Sequence, residues 1–415
     1  MKNILTPLVS VIGGEAIVRA ANFAAALFIA RVYGGAVLGA YAASLAVVTI
    51  FLMFADNGLQ TFAITELSGK LSDRNEIVGR VSVSKTILLA ITVLLLAAIA
   101  TWLKLPPFLW AIGTWITART VLQSYSQLQM AILKSVSKAS AIGVIQIFHS
   151  LFLLMGIGIT LLRGWTIFAL LAWLTGGQLF EFLLTILVLS RAGLRPRWPR
   201  PLCFWASMRK STPFGITYGL ANLIVRADTV VLSALVPLSV LGTFSAPNSI
   251  LLVVYVAAWL LGTVLLPEMV RLSASAGALK FYVRKWTRLL TLTTLPCAIL
   301  ASLAAPKVMV LLFGAAFYRS GALASVMALA CPFIVLNSVY TNLAIALNSK
   351  GVFTGLFAAT AVITIGLDFI VGRAFGPMGI AVAIVIREVG MMTGFWLLMF
   401  RRPSAVAQVA YPASL

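Results

Sequence analysis

The chain is a succession of apolar stretches, each about as long as a lipid bilayer is thick, parted by short polar breaks. A helix needs about 20 mostly apolar residues to cross the hydrocarbon. Twelve runs meet that length, near 10–31, 38–64, 81–103, 107–133, 139–161, 165–190, 211–235, 239–266, 286–304, 320–347, 352–372 and 377–400. The second, eighth and tenth are long enough for their ends to extend past the bilayer. With 61% hydrophobic and 10% charged residues, the composition excludes a soluble globule, where roughly a quarter of residues are charged. The expectation is an all-α polytopic membrane protein with about twelve transmembrane helices. The apolar run after Lys2 contains Glu15 and Arg19 and is too long and too charged for a cleaved signal peptide; it reads as the first span.

Charge sets the orientation. Lys and Arg number 31 against 10 Asp and Glu, a net charge of +21. With the N-terminus in the cytoplasm, 21 of the 31 basic residues fall on inside segments, Lys85 counted among them, and 6 fall outside. Cytoplasmic loops collect Lys and Arg, so both termini are expected in the cytoplasm. No basic stripe alternates with aromatics on a polar segment, which argues against nucleic acid. Cys203, Cys297 and Cys331 have no metal-ligand spacing, and His149 is the single histidine, so no metal site is expected.

The longest break, Arg191 to Lys210, is basic and rich in Pro and Trp. It divides the chain into an N-terminal six-helix bundle (1–190), a cytoplasmic linker (191–210), a C-terminal six-helix bundle (211–400) and a cytoplasmic tail (401–415). The linker serves as a topological anchor or lies on an anionic leaflet. The halves echo one another. Val37-Leu38-Gly39 and Val240-Leu241-Gly242 stand 203 residues apart, and Val121-Leu122-Gln123-Ser124 pairs with Val335-Leu336-Asn337-Ser338. An offset of six helices makes this a parallel repeat. Gly35 and Gly39 are assigned to a loop.

Four arginines, Arg19, Arg119, Arg226 and Arg387, fall near the middle of spans. Each costs about 2.5–3.5 kcal/mol at the bilayer centre unless it faces protein or water. Two readings stand side by side. The arginines line a cavity for an anionic cargo, since guanidinium suits phosphate; or they form internal ion pairs. Glu15 and Arg19, four apart, share a helix face. Asp228 beside Arg226 and Glu388 beside Arg387 point away from them on a helix, and Arg119 has no acid nearby in sequence. Gln123, Gln127, Asn337 and Asn342 recur at helical spacing and serve either sugar hydroxyls or helix–helix hydrogen bonds. Glu15, Asp228 and Asp368 are candidates for ion coupling. No nucleotide-binding loop, nucleophile elbow or paired-carboxylate motif is present, so no catalytic residue is assigned and the protein is not expected to be an enzyme.

Ala30-Arg31-Val32-Tyr33-Gly34, Leu38-Gly39-Ala40-Tyr41, then Asp56-Asn57-Gly58 and Glu66, resembles the Wzx-like polysaccharide flippases of the multidrug/oligosaccharidyl-lipid/polysaccharide exporter superfamily. Arg226-Ala227-Asp228 with Gly242-Thr243-Phe244, and Leu312-Phe313-Gly314, are similar to later family segments. Thr65 stands where an Arg is common in the family. The resemblance implies two six-helix bundles in a V around a central cavity. It implies flipping of an undecaprenyl-diphosphate-linked oligosaccharide across the cytoplasmic membrane by alternating access, driven by an H+ or Na+ gradient with no cofactor. Membrane lipids and other polysaccharide-assembly proteins would be partners. A cation-coupled drug exporter and a membrane glycan polymerase or ligase are the rivals; the outside segments are short for the latter.

Overall fold

The computed structural model describes residues 2–69, 74–136, 138–194, 203–347 and 350–400. They form α1 (Lys2–Asp56), α2 (Leu59–Gly69), α3 (Arg74–Trp102), α4 (Pro107–Ser135), α5 (Ala139–Arg163) and α6 (Ile167–Arg191). There follow α7 (Cys203–Leu235), α8 (Leu238–Leu272), α9 (Ala276–Phe313), α10 (Ser320–Ala328), α11 (Cys331–Ala346) and α12 (Lys350–Phe400). A 3-10 turn, Ala315–Phe317, precedes α10. No strand occurs among the described residues. Residues 195–202 of the expected linker and the tail 401–415 lie outside the described residues. The helix expected from residue 211 begins at Cys203.

At 1.5 Å per residue, the 55 residues of α1 would reach roughly 82 Å, far beyond a hydrocarbon core of about 30 Å. Gly34 (φ 85, ψ 176) interrupts it, and Gly376 (φ 61, ψ −144) interrupts α12 in the same way. Positive φ is open to glycine at little cost. Each of these long elements therefore supplies two crossings, matching two expected spans apiece. Two other spans are interrupted within their length. The second span is cut at Asn57 (φ 35) and Gly58 (φ 72), which separates α1 from α2. The tenth is cut between α10 and α11, where Pro332 occupies the first turn of α11, a position that needs no N–H.

Eight segments among the described residues are long and apolar enough to cross a bilayer, and two of these, 58 and 44 residues, contain the doubled crossings. Their apolar windows are only 17–44% buried within the protein. Leu162 (86% exposed), Leu303 (75%) and Val362 (73%) carry far more open hydrocarbon than water tolerates, and lipid is the solvent that fits them. The chain is thus a multi-pass membrane protein.

Contacts group the chain into two compact units: residues 1–33 with 40–226, and 34–39 with 227–415. The first has a core of Leu59, Phe62, Leu67, Val81 and Leu133, with Met208 of α7 packed into it. In the second, the segment 34–39 packs on α8. A Cβ on Gly39 would meet the carbonyl oxygen of Leu238, and one on Gly242 the carbonyl oxygen of Gly35. Gly35 and Gly39 are therefore helical residues at a close helix crossing, not loop residues. Small residues permit such an approach. The echoed Leu-Gly pairs at 38–39 and 241–242 touch at this crossing.

Candidate functional site

Four helices of the first unit each contribute polar residues three or four apart, the spacing that puts side chains on one helix face. On α1 these are Glu15, Arg19 and Asn22; on α4, Gln123 and Gln127. On α5 they are Gln146 and His149; on α6, Gln178 and Glu181. Together they line a pocket open to its surroundings, with Val18 and Met130 as its apolar members. Polar residues in mid-span are costly against lipid; gathered here they face one another.

Arg19 Nη2 lies 2.7 Å from Glu15 Oε1, and its side chain is 40% exposed. Gln146 Nε2 donates to Glu15 Oε2 at 3.1 Å, while Gln146 Oε1 has no partner although the residue is 5% exposed. Gln146 also leans on Gly14, where a Cβ would strike it. His149 Nδ1 meets Glu181 Oε2, and Nε2 is unpartnered in a residue 1% exposed. Gln178 Nε2 makes a long contact of 3.5 Å to Ser126 Oγ. Buried polar groups are ordinarily satisfied, so these open acceptors and donors make the pocket a place where a hydrogen-bonding ligand gains.

Arg119 sits behind the pocket. It donates through Nη1 to Tyr41 Oη at 2.9 Å and through Nη2 to Asn22 Oδ1; its Nε has no partner. Among the described residues it has no ion pair, so its guanidinium is held by neutral groups. Beside the pocket runs a second buried network. Lys85 donates to Asp56, and Gln60 Nε2 donates to Asp56 Oδ2 at 2.9 Å and reaches Gln127 Oε1 at 3.4 Å. Lys85 is fully buried. It is therefore not one of the cytoplasmic loop charges; its pair with Asp56 places it inside α3.

The other candidates lie in the second unit. Arg387 Nη1 donates to Asp228 Oδ1 at 2.6 Å, Nε reaches Glu388 Oε1 at 3.3 Å, and Nη2 donates to Tyr255 Oη at 3.0 Å. The expected divergence of Arg387 and Glu388 is thus overturned: long side chains bend back across one residue when Tyr255 bridges them. Asp368 lies beside Asp228. Asn337 donates to Glu388 Oε2 at 2.9 Å, and Asn342 donates to the Ser338 carbonyl at 2.8 Å. Arg226, partly buried on α7, is the last residue of the first unit. Of the residues singled out in the sequence, Glu15, Arg19, Gln123 and Gln127 come together in one pocket, while Asp228, Asp368, Arg387 and Asn337 form a separate buried cluster. The sequence offers Glu181 only as a partner for Arg119, which the structure gives to Tyr41 and Asn22 instead, and it does not single out Asn22, Gln146, His149 or Gln178 as pocket residues. The three-residue spacing of Arg19 and Asn22 on α1, Gln146 and His149 on α5, and Gln178 and Glu181 on α6 was the available signal.

The sequence profile described as polysaccharide biosynthesis protein matches residues 8–273. The chain belongs to the polysaccharide biosynthesis protein family. Comparison with curated proteins gives no sequence match. Among solved structures, this family member is similar to the lipid II flippase MurJ in an inward closed conformation, with TM-score 0.77 at 13% identity over 96% of this chain and 89% of that one. It is similar to an inward-facing multidrug resistance transporter of the MATE family and MOP superfamily, with TM-score 0.75 at 13% identity over 96% and 100%. A third likeness is to a mutant of the MATE transporter VcmN of Vibrio cholerae, with TM-score 0.67 at 13% identity over 98% of both chains. At such identities the likeness establishes the fold, that of the MOP exporters.

Proposed function

We propose that this protein flips a lipid-diphosphate-linked oligosaccharide across the bacterial cytoplasmic membrane, as a carrier and not as an enzyme, with both termini in the cytoplasm. The observation that carries this reading is the pocket of the first unit: carboxamides with open hydrogen-bonding atoms beside a half-exposed arginine, in a polysaccharide biosynthesis protein. Gln123, Gln127, Gln146 and Gln178 each offer both a donor and an acceptor, the chemistry that sugar hydroxyls require. Arg19, exposed enough to leave Glu15, supplies a fork for a phosphate, and Arg119 holds Asn22 in place. Arg226 is a second phosphate candidate. Arg387 keeps the role of an ion-pair centre in the second unit, with Asp228 and Asp368 as candidates for ion coupling and Glu15 as the candidate in the first. A membrane potential supplies about 2.3 kcal/mol per charge per 100 mV, so an H+ or Na+ gradient can drive the cycle.

The test is flipping of a fluorescent polyprenyl-diphosphate oligosaccharide by purified protein in liposomes. Gln123→Ala with Gln127→Ala, and separately Arg19→Gln, are expected to lower the rate at least about tenfold, the value of roughly 1.4 kcal/mol of lost binding, with normal insertion. Unchanged rates in both variants would overturn the reading. The two pocket carboxylates, Glu15 and Glu181, also suit an organic cation, which gives a drug exporter its footing. Cation efflux by the same liposomes, with no lipid flipping, would select that rival.

A further inference from the structure

We propose that the amino-terminal part of α9 is a docking surface for anionic phospholipid headgroups of the cytoplasmic leaflet. Lys280, Arg284, Lys285 and Arg288 fall within nine residues, all exposed, and α9 contains no acid over its 38 residues. Lys280, Arg284 and Arg288 repeat every fourth residue along one face. Like charges at that spacing destabilise a helix, so the face needs counter-charge from outside. None of the four has an ion pair or hydrogen bond among the described residues. Arg271, a few residues earlier on α8, is different: Glu268 holds it by two contacts of 2.8 and 2.5 Å.

Depth places the cations at the headgroups. Between Arg288 and Lys307 lie residues 289–306 without a charge. Eighteen helical residues span roughly 27 Å, close to the hydrocarbon thickness of about 30 Å. Exposed Leu292 and Leu303 on this stretch face lipid. Arg288 then sits at the hydrocarbon edge, and Lys280 about 12 Å beyond it. Phe281 is 72% exposed on the same turns, and the Tyr282 and Trp286 rings lie 6.3 Å apart. Aromatic residues among basic ones mark the membrane interface. The inference rests on the chain spanning a bilayer with this end of α9 at the cytoplasmic face, and not on what it transports.

The experiment uses the full chain in phosphatidylcholine bilayers doped with spin-labelled phosphatidylglycerol or spin-labelled phosphatidylcholine. A cation near an anionic surface contributes about fivefold in association, so the wild type is expected to retain phosphatidylglycerol at least about fivefold over phosphatidylcholine. High salt abolishes the preference. Lys280→Gln, Arg284→Gln, Lys285→Gln and Arg288→Gln combined bring the ratio near 1, and Arg284→Lys with Arg288→Lys leaves it unchanged. Cysteine labelling checks that the combined variant keeps its orientation; if it does not, the pair Lys280→Gln and Arg284→Gln is used, with an intermediate ratio expected. A preference that survives neutralisation overturns the proposal. So does displacement of phosphatidylglycerol by millimolar inorganic pyrophosphate beyond the effect of equal ionic strength, which would assign the face to a diphosphate.

Discussion

Lys85 has no exposed surface, and Asp56, 29 residues away in sequence, answers its charge. Removing one partner of a buried pair leaves the other uncompensated and costs about 3–5 kcal/mol. Lys85→Ala is therefore expected to destabilise the protein by about that amount, and Lys85→Met with Asp56→Leu to recover most of it. Thermal and denaturant unfolding in detergent reads both; equal stability of Lys85→Ala and wild type would refute the pairing. Sequence reading could not see this pair, because a Lys four residues into an apolar run looks like a boundary charge. The same limit applies to Arg387 and Glu388: helix geometry sends neighbours apart, but Tyr255 supplies a bridge that only the fold brings near. Glu15 and Arg19 were legible because their four-residue spacing fixes the contact locally. Gln146 with His149, and Gln178 with Glu181, carried a similar local signal, yet the meeting of four such faces is a tertiary fact.

At the scale of elements, glycines decide where helices turn and where they touch. A Cβ at Gly242 would collide with backbone, which cannot yield as a side-chain end can. Gly242→Val is expected to cost several kcal/mol, at the high end for overpacking, and to abolish monodisperse protein after extraction. At Gly113 a Cβ meets nothing within 4 Å, so Gly113→Ala, inside α4, is expected to raise stability by up to about 1 kcal/mol through helix propensity. Similar melting temperatures for the two variants would sink the close-packing argument. Hydropathy located most of the spans, since apolar length is what a bilayer selects. It could not place the cut at Asn57 and Gly58, because a break within an apolar run needs tertiary support. Here Asn57 Nδ2 donates to Thr212 Oγ1 at 3.1 Å, and Gly215 leaves room for the Asn57 backbone.

For the whole molecule, membrane class, helix number and family were legible, because composition, apolar length and short motifs all report the same solvent and fold. Orientation rests on the count of basic residues. Cysteines placed at Lys104 and Arg163, in a background without the native three, are expected to react with an impermeant maleimide added outside intact cells. Those at Lys138 and Ser275 should react only after permeabilisation, and the reverse pattern would invert the assignment. A last consequence concerns α4. It is fully described, yet it is absent from the eight segments that qualify as spans on hydropathy, because Gln123 and Gln127 of the pocket wall, with Arg119 behind them, lower its apolar content. A central Arg alone opposes partition from the translocon by about 2.5–3.5 kcal/mol. Asn22 and Tyr41 of α1 hold that guanidinium, so the contacts that form the back of the pocket also offset what its most polar helix costs the bilayer.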